Sequence, residues 1–518
     1  MSANKQLKKG QKKCSKRRLR KGIIVGPLSI VLSGCCLFIV FQTFKLNVLP
    51  VFLLLPIVIF LITIPLILII FTNFKIKNKI ARFICGTLII AISIGYGIGG
   101  MYLKKTNNMF SNVTSLSNEI KNTVSVLTLV DSNINEVVDL NNQTIGMIKE
   151  IDTVATVKSI KDLENKKVIY EAVEYPGAVE LASALYNGEV DAIIFNEAYR
   201  SVFQDIEDFW SFNKDTKAIN QTIFYTKREK ALDKTSNPVN NIMSDTFTVF
   251  ISGNDSYGSL NEASRSDVNM LVTVNPKTHV VLMTSIPRDY YVEEVCTPAD
   301  ACNYGMMDKL THTGLHGIQT TEESIENLLN ITINYNVRVN FSSLVNLVDA
   351  IGGIDVLVEQ GKEVVRFSAN DTKGVTGGWN HLEGERALAF ARERHAYEDG
   401  DFQRVQNQQI VMKAIIDKLT SPTMFSHYGD FIDALSGAFE TNMSLEEMNA
   451  LLRYEITFRP HWEFASFAMS GTPDFQMSAA LGDFAYVTVL DDNSVDLANK
   501  KIKAVIDGDS IENISSIE

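Results

Sequence analysis

The chain has 518 residues, too many for one ordinary domain and enough for two or three. Its 49 Lys and Arg against 60 Asp and Glu give a net charge of −11, yet residues 1–105 hold 17 basic residues and no acidic one. The remaining 32 basic and 60 acidic residues give 106–518 a net charge of −28, which excludes a general nucleic-acid binder.

The basic end reads as a membrane anchor. Lys5–Lys21 carries ten basic residues, and three stretches without charge follow: Gly22–Phe44, Leu46–Phe74 and Phe83–Leu103. Each reaches the roughly 20 apolar residues needed to cross a bilayer. Pro50, Pro56 and Pro65 are expected to kink the second. The first is too long for a signal-peptide core and is expected to stay as an anchor. The Lys5–Lys21 run sets the N-terminus in the cytoplasm. Lys75, Lys77, Lys79 and Arg82 mark a second cytoplasmic loop, while only Lys45 separates the first two spans. Three crossings leave the rest of the chain outside the cell. The expected order is a basic cytoplasmic tail (1–21), three transmembrane helices (22–104), a polar stalk (105–122), a small accessory α/β domain (123–226), a linker (227–243) and a larger α/β domain (244–518).

In the accessory domain Thr123–Val130, Thr144–Ile148, Lys167–Tyr170 and Asp191–Phe195 read as strands, and Val157–Leu163 and Gly177–Tyr186 as helices. The stretch "LYNGEVDAIIFNEAYR" is faintly similar to part of the solute-binding-protein pattern, without site residues. The polar "KREKALDKTSNPVN" (227–240) reads as the linker. Then "DTFTVFISGND" is an apolar strand, and "DVNMLVTVNPKTHVVLMTSIPRD" a hairpin turning at Asn275–Pro276. "TTEESIENLL" opens a helix with Thr320 and Glu323 as a capping box. "VNFSSLVNLVDAIGG" is a helix stopped by glycines, and 425–518 is expected to pack onto this domain. Of six cysteines only Cys296 and Cys302 fall outside the membrane region and tail. They either close a small loop or remain two thiols. There is no C-x-x-C and no His–Cys cluster, so no zinc or iron–sulfur site is expected.

Chemistry concentrates where guanidiniums recur. "GERALAFARERHAYEDGDFQRVQNQQ" carries Arg386, Arg392, Arg394 and Arg404, with Asp401 and Gln408. With Asp399–Leu419 as a helix, Arg404 and Gln408 fall within about 60° of Asp401, on the arc of Val405, Met412, Ile415, Ile416 and Leu419. This trio points into the core or a cleft, where a buried arginine needs an anionic answer. "SRSD" places Arg265 and Asp267 two apart, on one face of an extended segment. "IPRD" places Arg288 and Asp289 where a strand breaks, and Asp255 ends the "FISGND" strand. Asp255 and Asp267 are carboxylates that could share a hard cation such as Mg2+. Arginines beside such an ion suit phosphate chemistry. No Walker-type loop is present, which argues against a nucleotide.

Together "SRSDVNMLVTVNPKTHVVLMTSIPRDYYV", "DKLTHTGLHG", "LVDAIGGIDV" and "ALAFARERHAYEDGDFQRVQNQQ" resemble the LytR-CpsA-Psr family, densely over 245–420, and the three-span anchor resembles its capsule-associated branch. The resemblance implies an α/β/α catalytic domain with a mixed central sheet. It implies transfer of a glycopolymer, here capsular polysaccharide, from a polyprenyl-pyrophosphate carrier to peptidoglycan outside a Gram-positive membrane. It puts Mg2+ on Asp255 and Asp267, and pyrophosphate on Arg265, Arg288, Lys309, Arg392, Arg394, Arg404 and Gln408. Arg265, Arg288, Arg394 and Asp401 would be catalytic, with Asp401 or Asp267 as base. Implied partners are the lipid-linked polymer, the peptidoglycan acceptor, the membrane and other capsule-assembly proteins, with no nucleic acid. Two rival readings use the same residues: a pyrophosphate hydrolase, and a non-catalytic envelope sensor.

Overall fold

The computed structural model describes residues 26–75, 78–114, 119–148, 153–227, 237–254, 264–299, 301–368, 371–398, 400–419 and 439–518. The chain forms two units, one containing the apolar N-terminal helices with Leu445–Pro460, the other Asn112–Ser444 with His461–Glu518.

In the first unit α1 (Gly26–Leu46), α2 (Val51–Ile70) and α3 (Lys79–Thr114) are long and apolar enough to cross a membrane. Pro56 and Pro65 lie inside α2. A proline at 65 cannot donate to the Leu61 carbonyl, an orphan that hydrocarbon would not satisfy. Tyr96 Oη of α3 donates to that carbonyl at 3.0 Å, and Cys36 Sγ of α1 at 3.4 Å. The Asn107 amide donates to Gln42 Oε1 at 3.1 Å, tying α3 to α1. Helix Leu445–Phe458 belongs to this unit, where Arg453 donates to the Asn47 carbonyl between α1 and α2. This corrects the expectation that all of 425–518 packs onto the α/β part.

The second unit begins with β1 (Glu119–Leu129), β2 (Thr144–Ile148), α4 (Thr153–Asn165), β3 (Glu171–Tyr175), α5 (Ala178–Tyr186), β4 (Ala192–Asn196) and β5 (Thr216–Lys227). The sheet order is β3-β2-β4-β1-β5, with β2 parallel to β3 and β4, and β1 antiparallel to β4 and β5. Strand alternation sends Val126, Ile145 and Ile194 toward Ala155 and Leu163 of α4, and Ile193 and Phe195 toward Leu181 and Leu185 of α5. The strand expected at Lys167–Tyr170 is instead the exit from α4. Lys167 is left-handed (φ 59°), the Val168 amide caps the Leu163 carbonyl, and buried Val168 plugs the core. β5, which the sequence reading passed over, pairs with the full length of β1.

The chain continues through β6 (Phe247–Asn254), β7 (Ser266–Asn275), β8 (Val280–Ile286), β9 (Tyr291–Glu293), β10 (Met307–Lys309), α6 (Ile318–Leu329), β11 (Tyr335–Asn340) and α7 (Phe341–Ala350). After these come β12 (Ile354–Val358), β13 (Val364–Arg366), β14 (Lys373–Val375), β15 (Gly378–Leu382), α8 (Gly384–Arg392), α9 (Asp401–Leu419), β16 (Phe439–Thr441), β17 (Glu463–Ala468), β18 (Gly471–Ser478), β19 (Asp483–Leu490) and α10 (Asp492–Asp507). A mixed six-stranded sheet, β16-β11-β6-β7-β8-β17, is the centre. One face packs Phe250, Leu271, Leu282 and Ile286 against Ile325 of α6 and Ile502 of α10. α9 reaches the other face, where Gln409 donates to Ser285 Oγ of β8 at 2.9 Å. The β7–β8 hairpin turns after Asn275 as expected. Helix α6 starts three residues earlier than the capping box requires. Its N-cap is Gly317 at φ 113°, and Thr320 is buried inside the helix. α7 ends at Gly352 and Gly353, both at positive φ, a conformation costly to other residues.

Cys296 and Cys302 are disulfide-bonded across six positions. The accessory domain meets the β18–β19 turn through glycine: a Cβ on Gly177 would sit 2.2 Å from the Leu481 carbonyl.

Candidate active site

The central sheet brings four strand ends to one edge. β6 and β11, which are parallel, finish at Asn254 and Asn340; β8 finishes at Ile286; antiparallel β7 starts at Ser266. Asn269 pairs with Ile286, so two residues further along each strand Asp267 faces Arg288. Arg288 Nη1 donates to Asp267 Oδ1 at 2.9 Å, and Thr311 Oγ1 to the same oxygen at 3.2 Å. Arg265, Arg288 and Arg404 are all at least nine-tenths buried. Burial pushes the Asp267 carboxyl up, but the positive charges of Arg288, Arg265 and Arg404 outweigh it and hold the group well below the usual carboxylate range. Asp267 is therefore an anion at any physiological pH.

A second carboxylate extends the cluster. Asp289 lies 3.5 Å from Arg288 Nε through Oδ2 and 3.3 Å from Lys309 Nζ through Oδ1. The 307–313 segment that carries Lys309 and Thr311 is fixed from beneath. Buried Asp308 accepts from Ser478 Oγ and from the Ala480 amide, both at 2.7 Å, and lies 2.8 Å from His312 Nδ1. Burial raises the Asp308 carboxyl, while His312 and these donors pull it below its ordinary value. The backbone amides of Leu310 and Thr311 bond the Tyr290 and Arg288 carbonyls, so Lys309 and Arg288 move together.

The structure joins Arg265, Asp267, Arg288, Lys309 and Arg404 in this neighbourhood. Arg404 is buried on α9, as the helical arc predicts, with Val405 and Ile415 buried beside it; Gln408 is half-buried on the same helix. Solvent instead meets Phe402, Gln406, Lys413 and Asp417. Arg392 ends α8 with its guanidinium 4.2 Å from the centre of the Phe341 ring, and Arg394 Nε donates to His395. Between them extended Glu393 is fully buried and accepts from the Ser368 and Ala396 amides. Arg386 is structural, donating to the carbonyls of Lys373, Gly374 and His381. Asp255 lies outside the described residues, as does the side chain of Asp401, whose backbone starts α9. Sequence reasoning left Asp289 and Thr311 out of the site and missed buried Arg338 on β11. Asp289 had a signal in "IPRD" and Thr311 in "DKLTH"; Arg338 had none.

Among the described residues no group of three His, Cys, Asp or Glu is arranged as a complete metal cage. The donor chemistry of Asp267 nevertheless fits a hard cation. The group is ionised, and both bonds described fall on Oδ1, which leaves Oδ2 as a ligand oxygen.

Buried guanidiniums and an ammonium gather around the carboxylates of Asp267 and Asp289 at a sheet edge, in an α/β protein with an apolar helical anchor. The family model of the LytR_cpsA_psr family matches residues 209–476. The chain is 33% identical over 235 residues to the polyisoprenyl-teichoic acid–peptidoglycan teichoic acid transferase TagU of Bacillus mycoides (strain KBAB4), covering 45% of this chain and 72% of that one. It is 35% identical over 217 residues to the transferase of the same description, TagT, of Bacillus subtilis (strain 168), covering 40% and 64%. Among solved structures, TagT bound to LI-WTA is 27% identical with a TM-score of 0.42, covering 53% of this chain and 95% of that one. Protein gbs0355 from Streptococcus agalactiae is 24% identical with a TM-score of 0.44, covering 54% and 92%. The chain belongs to the LytR_cpsA_psr family.

Proposed function

We propose that this protein transfers a glycopolymer, capsular polysaccharide in our reading, from a polyprenyl-pyrophosphate carrier to peptidoglycan on the outer side of the membrane. The observation that carries the reading is the buried cluster in which Arg265, Arg288 and Arg404 surround Asp267 while Lys309 joins through Asp289. Guanidinium forks bind phosphate oxygens bidentately and keep their charge when desolvated. The names of the TagU and TagT relatives support a lipid-linked polymer as donor and peptidoglycan as acceptor.

In this mechanism Arg265, Arg288, Lys309 and Arg404 hold the pyrophosphate, and Arg392, Arg394 and Gln408 extend the grip. Asp255 and Asp267 would hold Mg2+, which supplies further neutralisation of the phosphate charge. A peptidoglycan hydroxyl attacks the phosphorus attached to the sugar. The new O–P bond forms as the P–O bond to polyprenyl phosphate breaks, and the arginines stabilise the charge that moves onto the leaving oxygen. Asp401 takes the hydroxyl proton. Asp267 is the poorer acceptor, because neighbouring arginines hold its carboxyl well below the usual range.

The test supplies the full-length chain in liposomes with lipid-linked polymer, with and without peptidoglycan fragments, using capsular and teichoic acid carriers in parallel. Acceptor-dependent product from the capsular carrier is expected. Product from the teichoic acid carrier alone overturns the polymer choice. Phosphorylated polymer released without acceptor supports a hydrolase, and unchanged lipid supports an envelope sensor.

A further inference from the structure

Arg338 is a buried guanidinium that the mechanism above does not use. It lies on β11 in register with Ser252 of β6, and its side chain is buried. With the Asn254 amide oxygen turned toward it, Arg338 donates from Nε at 2.7 Å and from Nη2 at 2.8 Å. Ser264 Oγ donates to the same Asn254 oxygen at 2.8 Å and lies 3.4 Å from Arg338 Nη2. Asn254, Ser264 and Arg338 are all buried.

Their positions in the chain give this triangle its meaning. Asn254 is the last residue of β6 and immediately precedes Asp255; Ser264 immediately precedes Arg265. The guanidinium thus joins the two ends of the 255–263 segment. The join is backed from another side by Gly314, where a Cβ would lie 2.6 Å from the Ser266 amide nitrogen and 2.9 Å from the Ser264 carbonyl. Ser252 Oγ and Ser266 Oγ, 2.7 Å apart, bond one step further along the same two strands. A strand pair that carries a register shift between Gly253 and Asn254 needs such a clamp, because the ladder no longer fixes the spacing of its ends.

We infer that Arg338 is a positioning residue for the transfer site: by clamping Asn254 to Ser264 it sets where Arg265 and Asp267 stand relative to the pyrophosphate. The inference rests on the proposed use of those two residues. It explains why an arginine is needed. Its planar fork reaches acceptors on two chain segments at once, which an ammonium cannot do in one geometry. Held only by its remaining neighbours, Arg265 would sample positions away from Asp267, and site constellations are sensitive to shifts on the order of 1 Å.

The test uses the full-length protein and Arg338→Ala, Arg338→Lys and Ser264→Ala. Three quantities are read: calorimetric affinity for inorganic pyrophosphate with Mg2+, hydrogen exchange of the 264–268 amides, and transfer kinetics. In Arg338→Ala, pyrophosphate affinity should fall about tenfold or more and exchange at 264–268 should quicken at least as much, with β2 and β4 amides unchanged. Arg338→Lys should recover part of the affinity, and Ser264→Ala should show a smaller loss of the same pattern. Wild-type affinity and exchange in Arg338→Ala overturn the inference. So does an affinity loss that merely tracks the folded fraction with KM and cation dependence unchanged, which marks a purely structural residue. If Arg338→Ala does not fold, Ser264→Ala alone decides: unchanged affinity and exchange overturn the clamp. Binding and exchange are independent of turnover, so an inactive wild type that binds pyrophosphate would sink the transfer reading and leave this one standing.

Discussion

Asp267→Asn separates a carboxylate that serves only a ligand from one that also holds the protein together. At 2.9 Å from Arg288 Nη1, with an effective dielectric of about 20, the gross attraction is about 6 kcal/mol. Much of this offsets the desolvation of two charges, so the net cost of removing one partner of a buried pair is about 3–5 kcal/mol. Asparagine keeps the shape and one acceptor oxygen for Arg288 and Thr311, which sets the expectation at the low end, about 3 kcal/mol. For a domain of 150–250 residues that is a fall in Tm of about 6–12 °C. Adding inorganic pyrophosphate at about a hundred times its Kd should return about 2.7 kcal/mol to any form that still binds it. Thermal melts of wild type and Asp267→Asn, with and without pyrophosphate, read both effects. Because the folded carboxyl is held low, its contribution is present above the unfolded value near 3.9 and is lost as pH falls through the folded one. The gap between the two proteins should therefore be constant around neutral pH. An apo Tm for Asp267→Asn within about 2 °C of wild type would refute the reasoning, because it would show that the three arginines do not need this counter-charge.

Burial raises the carboxyls of Glu294, which also feels Asp308, and of Glu322, which accepts from Asn336 and feels Glu326 and Glu323, each to about 8. A raised folded value means stability that is full below about 4.5 and lost as pH rises through about 8, so Tm should drop between about pH 5 and pH 9. The double variant Glu294→Gln with Glu322→Gln should flatten that drop in a melt series, and an unchanged slope would refute it. Replacing Cys296 and Cys302 by serine opens a loop of six positions and should lower stability by about 2 kcal/mol in denaturant titration, while transfer by the folded protein persists. A reporter that folds only in the cytoplasm should be active when fused at Lys77 and silent at Lys105; activity at both ends the three-span topology.

The spans, the β7–β8 hairpin and the inward arc of α9 were legible because each is a local periodic signal: uncharged length, period 2, and period 3.6. Asp267 and Arg288 were named as separate motifs, and their pairing was not readable. It follows from a strand register fixed by residues between them, Asn269 opposite Ile286. Arg338 was silent for the same reason. In "NVRVNF" it is one polar residue in an alternating strand, and its meaning lies in Asn254 and Ser264, brought to it by β6 and β7. Helix Leu445–Phe458 reads as amphipathic, and nothing local marks its partners as the apolar helices. β3 was displaced by four residues because buried Val168 imitates a strand while serving as the plug behind α4.

In the proposed reading, the charge of this cluster favours a multiply charged anion over a neutral ligand. Arg265, Arg288, Lys309 and Arg404 bring four positive charges beside the carboxylates of Asp267 and Asp289, at a buried sheet edge where charges need partners. A pyrophosphate esterified at both ends carries one negative charge on each phosphate and would add two anionic partners for these groups. Hydrolysis or transfer leaves a phosphate monoester, whose second ionisation near pH 6 changes the balance again. In the proposed reading the two carboxylates make the cluster of cations tolerable before binding, and the two phosphates of the ligand add further counter-charge once it is bound.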